Sequence, residues 1–313
     1  MIQNSDNMKC FKLREGENFM VGDVLAQDLT KEDVRPGGVF IIHLLMEEQC
    51  AMPDKALFQT ILDKHLNHVN CFGYSKETAC FEASDYRVSF ENDKITARPQ
   101  LMITSCSKIQ KPIMDDVAKT QLWNCPNGEE ILERCHYQVL ATDMLASVLE
   151  YKERAELLVG YIEALVELYP TCKAVVFENS KKMLTREAIL HCELPKKERF
   201  LYYGVNIRFF NIQGTNDMLV DSLGMSTLFL PDVQYHFHGL NPNDIVNHAY
   251  DMLYYIYDYN NPIESGNTIT GLSDGNPDKD VKWKLQYEQS LIQPVREVID
   301  VNTLEFAAGN RER

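Results

Sequence analysis

An apolar strand that ends at a proline and is followed at once by a well-capped helix leaves a chain few ways to fold. Residues 219–272 have that order: the apolar run of 218–230, Pro231, a His-rich turn, then a helix opening at Asn241. Asn241 fits the N-cap and Pro242 the first helical position, while Asp244 sits by the exposed amide donors at the positive end of the dipole. Ile245, Ala249, Met252, Ile256 and Tyr259 recur at helical spacing, flanked by Val246 and Leu253, which predicts a broad core stripe. Asn260, Asn261 and Pro262 stop the helix. A second stripe, Tyr250, Tyr254 and Tyr257, falls on another face. It reads as a binding surface for a protein partner, because aromatics with polar tips are enriched at interfaces. The plainer alternative is a helix packed between a sheet and a neighbouring element.

The remaining elements follow from periodicity. Val39–Glu47 is a continuous apolar run of strand length. A helix from Asp54 buries Leu57, Phe58, Ile61, Leu62 and Leu66, and Val69–Tyr74 and Ala79–Ala83 read as strands. Tyr86–Phe90, a turn at 91–94 and Ile95–Thr104 read as a hairpin, with Pro99 marking an edge or a break. Residues 113–135 read as two helical pieces. His136–Thr142, a helix carrying Ala155, Leu158, Ile162, Leu165 and Tyr169, and Cys172–Phe177 together predict a βαβ unit with parallel neighbouring strands. Leu201, Tyr203, Val205, Ile207 and Phe209 alternate as in a half-buried strand, and so do Val281, Trp283, Leu285 and Tyr287. Val295–Val301 adds a further strand. The expected fold is α+β: two layers of mostly antiparallel sheet with helices on one face, two ferredoxin-like halves being one form of it. The expected domains are a polar arm or linker at 1–37, in which Phe19–Leu29 could form a short helix, an α+β domain at 38–185, and a second at 186–313, the boundary being soft.

Charge narrows the partners. The 313 residues carry 46 acidic against 31 basic side chains, a net charge of −15. That balance disfavours nucleic acid and anionic membranes and suits a basic protein; a homo-oligomer stays open. Nine cysteines without any C-x-x-C spacing argue against a zinc ribbon or a disulfide framework. With no apolar leader and no membrane-length apolar run, a cytoplasmic setting is expected.

The candidate chemistry centres on His236-x-His238, with Asp232 before it and Asp244, His248 and Asp251 on the helix. In a strand, positions i and i+2 share a face, and the helical trio shares another. Imidazoles with carboxylates suit zinc, manganese or non-haem iron. Against this, Asp244 is already explained by the helix N-terminus, and the histidines suit a polar turn. Glu47, Glu48, Asp143 and Glu178 stand just past expected strands, where parallel strands would gather them at one edge. Lys181, Lys182, Arg186, Lys196, Lys197 and Arg199 form the one basic cluster, more simply a solvated loop. His43, inside the first strand, reads as a hydrogen-bonded core residue. No G-x-S-x-G, phosphate loop, G-x-G-x-x-G or H-E-x-x-H occurs.

Gly224-Met225, Leu230-Pro231-Asp232, the helix after them, and Gly266-Asn267-Thr268-Ile269 with Gly271 resemble a bacterial domain family of unknown function, over roughly residues 218–295. The resemblance implies a bacterial α+β domain and carries no catalytic residues. The expected function is a non-catalytic cytoplasmic protein-binding module, immunity- or antitoxin-like in its most concrete version, without a cofactor. The alternative is a hydrolase using zinc or a similar divalent metal at His236, His238, His248, Asp251 and Asp232.

Overall fold

The computed structural model describes residues 25–27, 31, 33–89 and 96–309. The chain forms two compact units. Among the described residues, one, the N-terminal unit, holds those within 34–206 and 223–230; the C-terminal unit holds 207–222, 231–309 and the few described before 34. The division therefore falls at 206/207, with a short return excursion at 223–230, where the sequence suggested 185/186. The short helix expected at Phe19–Leu29 lies outside the described residues, apart from Leu25–Gln27.

The N-terminal unit contains, in order, β1 (Ile41–Met46), α1 (Lys55–Leu66), β2 (Val69–Tyr74), β3 (Thr78–Ala83), β4 (Val88–Ser89), β5 (Thr96–Ala97), β6 (Gln100–Thr104) and β7 (Ser107–Lys108). It continues with α2 (Asp116–Lys119), α3 (Gly128–Arg134), β8 (Tyr137–Met144), α4 (Tyr151–Leu168), β9 (Ala174–Phe177), β10 (Lys182–Thr185), α5 (Arg186–Leu190) and α6 (Arg199–Gly204). The main sheet runs β10-β9-β1-β8-β6-β3-β2, with β7 added on β8. Its strand pairs, among the described residues, are all antiparallel. Alternation along β1 turns Ile42 and Leu44 one way and Leu45 the other. Leu45 joins Ala174, Val176 and Met183 in a cluster closed by Met114, Ala118, Cys125 and Cys135.

The β8-α4-β9 connection is a crossover, but its strands are not neighbours. β1 lies between them and is antiparallel to both, so β8 and β9 are parallel only at one remove. That interleaving is the split β-α-β arrangement of ferredoxin-like sheets, here widened by β3 and β6. The expectation of adjacent parallel strands fails because β1 supplies an antiparallel partner to each. Glu47 consequently ends β1 at one sheet edge, whereas Asp143 and Glu178 end β8 and β9 at the other. The Phe40 amide donates to Asp143 at 2.7 Å, and Glu47 pairs with Arg134 and Lys173. Glu47 therefore does not share an edge with Asp143 and Glu178.

The C-terminal unit contains β11 (Asn206–Asn211), β12 (Met218–Leu223), β13 (Asp232–Phe237), α7 (Pro242–Asp258), β14 (Thr268–Ser273), β15 (Asn276–Gln289) and β16 (Glu297–Asn302). The sheet order is β11-β12-β13-β16-β15-β14, with β13 and β16 parallel. Helix α7 covers the face carrying Val233, Tyr235, Phe237 and Trp283, all fully buried. With one long helix among its described residues, this half does not repeat the ferredoxin-like pattern. The alternation expected from Leu201 resolves into helix α6 followed by a strand starting at Asn206. The apolar residues at 200, 201 and 203 pack as a short buried helix, and periodicity over so few residues does not separate the two.

Candidate functional site

Helix α7 begins as its sequence dictates. The Asn241 side chain accepts a hydrogen bond from the Asn243 amide at 2.9 Å, Pro242 takes the first turn, and Asp244 lies in that turn at the positive end of the helix dipole. Over this end folds the β14–β15 hairpin, turning at Asp274-Gly275. Gly275 has φ +77°, and a Cβ there would stand 2.6 Å from Oδ2 of Asp244. Only glycine both adopts that conformation and lets the turn approach the carboxylate. The third wall is the chain after β16, residues 303–306, held by the His238 amide donating to the Phe306 carbonyl at 2.8 Å.

These three pieces enclose a cavity of about 440 Å³ at the head of α7, within the size range of ligand sites. Trp283, Leu272, Val281 and Phe306 give it apolar walls, and every ionisable residue lining it is acidic: Asp244, Asp274 and Glu305. Thr303 also lines it. That residue is fully buried, and its hydroxyl has no hydrogen-bond partner among the described residues. A buried hydroxyl left unpaired costs stability.

Of the residues singled out by sequence, the structure brings Asp244 alone into this cavity. Asp232, Gln234 and His236 share the face of β13 opposite Tyr235. Asp232 is buried and paired with Arg296, whose Nε lies 3.0 Å from Oδ2. Arg296 also donates to Asp221 at 2.6 Å, and Arg208 donates to Asp221 from its Nε at 2.8 Å. Burial alone would raise the Asp221 carboxyl; the charges of Arg208 and Arg296 outweigh it and hold the group below the ordinary value. His236 is half-buried, with Nε2 3.7 Å from Asp217.

His248 faces the other way. Its Nε2 lies 2.9 Å from the Thr270 carbonyl and must donate; its Nδ1 lies 2.8 Å from the Tyr235 hydroxyl and accepts. The ring packs on Trp283 at 4.9 Å between centroids, and burial pushes its pKa down. A neutral imidazole so engaged has no lone pair left for a metal. Asp251 is exposed on α7. Among the described residues, no group of three or more His, Cys, Asp or Glu is placed to hold a metal ion. His236, His238, His248, Asp232 and Asp251 are therefore not gathered into one site.

The tyrosine surface needs correction as well. Tyr250 and Tyr257 are 6% and 5% exposed, and Tyr254 is half-buried, so this stripe packs inward with the core stripe. The outward aromatics are Tyr255 on α7 and Tyr259 just past its end, with ring centroids 5.1 Å apart; Tyr259, expected in the core stripe, is 67% exposed because the helix has already ended there. The basic cluster is dispersed too. Lys182 is buried, Lys181 pairs with Glu178, Lys196 with Glu156 and Arg199 with Glu163. His43 stands as expected, hydrogen-bonded to Gln138 at 2.8 Å.

Asp274, Thr303 and Glu305 escaped the sequence reading. Asp274-Gly275 is a hairpin-turn dipeptide and could have placed the turn; nothing local ties that turn to the helix N-terminus 30 residues earlier. Residues 221–302 match the sequence profile of a domain of unknown function (DUF4261), in line with the resemblance seen in the C-terminal part. That span takes in β13, α7, β14, β15, β16 and most of the cavity wall. No curated protein and no solved structure matches the chain. No described helix is long and apolar enough to cross a membrane.

Proposed function

We propose that the protein is a binding module for a basic protein partner, and that the cavity at the head of α7 receives a lysine or arginine side chain of that partner. The observation that carries this reading is the wall composition: three carboxylates and no basic group around an aromatic and aliphatic interior. A cation entering there meets Asp244, Asp274 and Glu305 by charge and the apolar walls by its methylene stem. The net charge of −15 favours the encounter with a basic surface. A bacterial cytoplasmic protein of immunity or antitoxin type, without catalysis, is the setting in which such a module would serve.

Fluorescence anisotropy with labelled tetra-lysine and tetra-arginine peptides tests the proposal, with a tetra-glutamine peptide as control. Saturable binding of a basic peptide is expected, weakening with salt and falling about tenfold or more in Asp274→Asn/Glu305→Gln, since two charge contacts of about 1 kcal/mol each are removed. Equal binding by the variant, or no basic peptide binding at millimolar concentration, would overturn it.

A further inference from the structure

In the N-terminal unit, three sulfur atoms converge where β1 ends. The Met46 thioether, fully buried, lies 3.0 Å from the Cys50 thiol and 3.8 Å from the Cys106 thiol. Both thiols thus lie against the same thioether sulfur. Cys106 is 4% exposed and Cys50 half-exposed, so the group opens to solvent on the Cys50 side. Metal–sulfur bonds of about 2.3 Å around one ion place trigonal sulfur atoms roughly 4 Å apart. The observed spacings reach that with small side-chain movements.

We propose that Met46, Cys50 and Cys106 form a binding site for a soft monovalent cation, copper(I) above all. Two thiolates and a thioether are the donor set that selects this ion over hard cations. On loading, the two S–H bonds break and both protons leave to solvent. Two copper–thiolate bonds and one copper–thioether bond form, and copper keeps its oxidation state.

The test titrates the reduced full chain with copper(I) under anaerobic conditions, in competition with the chromogenic chelator bicinchoninate. X-ray absorption of the one-equivalent complex reports the donor atoms. One tight equivalent with sulfur-only coordination is expected. Cys50→Ser and Cys106→Ser should each lose it, and Met46→Leu should weaken it by roughly tenfold or more. Far-UV circular dichroism confirms that each variant folds; if Cys106→Ser does not, half-exposed Cys50→Ser decides alone. Undiminished loading in Cys50→Ser would place the ion on other cysteines, and nitrogen or oxygen donors would show a different site; either result overturns the proposal.

Discussion

Arg296 and Asp221 meet at 2.6 Å with side chains 2% and 0% exposed. Asp221 takes a second guanidinium from Arg208, Arg296 a second carboxylate from Asp232, and Asp232 accepts from the Ser222 hydroxyl at 2.7 Å. Beside them, Gln234 donates to Asp300 at 3.1 Å. This polar row crosses β12, β13 and β16 in register, on the face turned away from α7. The charges have left water, so each depends on its partner.

Asp221→Ala leaves buried Arg208 without a carboxylate and Arg296 with Asp232 alone, and should cost about 3–5 kcal/mol in urea unfolding. The pH dependence has a fixed sign. A carboxyl whose folded pKa is depressed contributes stability that is whole above the unfolded value of about 3.9 and is lost as pH falls through the lower folded value. Below pH 4, wild-type stability should therefore fall more steeply than that of Asp221→Asn. Parallel slopes would show that Asp221 does not carry the linkage.

Tyr235→Phe isolates the histidine bond. The substitution keeps the ring against Trp283 and His248 and removes only the hydroxyl, leaving Nδ1 of His248 buried without a donor. A loss of about 1–3 kcal/mol is expected. Since the folded His248 pKa is depressed by burial, its contribution is whole above the unfolded value of about 6.5 and fades as pH falls below it. Thermal melts at pH 8 and pH 5 of wild type and His248→Gln read this directly: the wild type should lose more on acidification.

Much of the C-terminal unit was legible because its signals are local. Asn241-Pro242 fixed where α7 starts, Asn260-Asn261-Pro262 where it stops, and the Val281–Tyr287 alternation marked a strand. What could not be read depends on contacts distant in sequence. Spacing assigned Tyr250, Tyr254 and Tyr257 to a separate face, but a helix against a wide sheet buries more than one stripe, and spacing does not say which face meets solvent. Asp232 and His248 looked like ligands until Arg296, Tyr235 and the Thr270 carbonyl appeared as their partners. The cavity joins residues from 239 to 306, and no local pattern connects them.

Gly160 sets the approach of α4 to α1. A Cβ there would stand 2.7 Å from the Leu66 side chain and 2.8 Å from the His65 carbonyl oxygen. Backbone cannot yield as a flexible side chain does, so overpacking of about 1–3 kcal/mol opposes the helix-propensity gain of up to about 1 kcal/mol. Gly160→Ala should be net destabilising, and Gly160→Leu more so, in chemical denaturation. A stabilised Gly160→Ala would mean that the two helices separate freely.

Lys182 presents the opposite problem to Arg296, a buried cation without a counter-charge. Its Nζ donates to the Val205 carbonyl at 2.8 Å and lies 5.1 Å from the Tyr202 ring centre, and among the described residues no carboxylate is within ion-pair distance. Burial pushes its pKa down to about 7. The unfolded lysine holds its proton to about pH 10.5, the folded one only to about 7. Stability is therefore whole above the unfolded value and is lost as pH falls toward 7, where the folded group is also charged. Lys182→Met exchanges the unpaired amine for an apolar chain of similar length, at the cost of one hydrogen bond to Val205. The variant should be more stable than wild type by about 1–4 kcal/mol at pH 7. The margin should shrink as pH rises toward 10, measured by urea unfolding at both values. A margin constant with pH would show that the amine keeps its ordinary pKa in the fold, with a counter-charge reaching it.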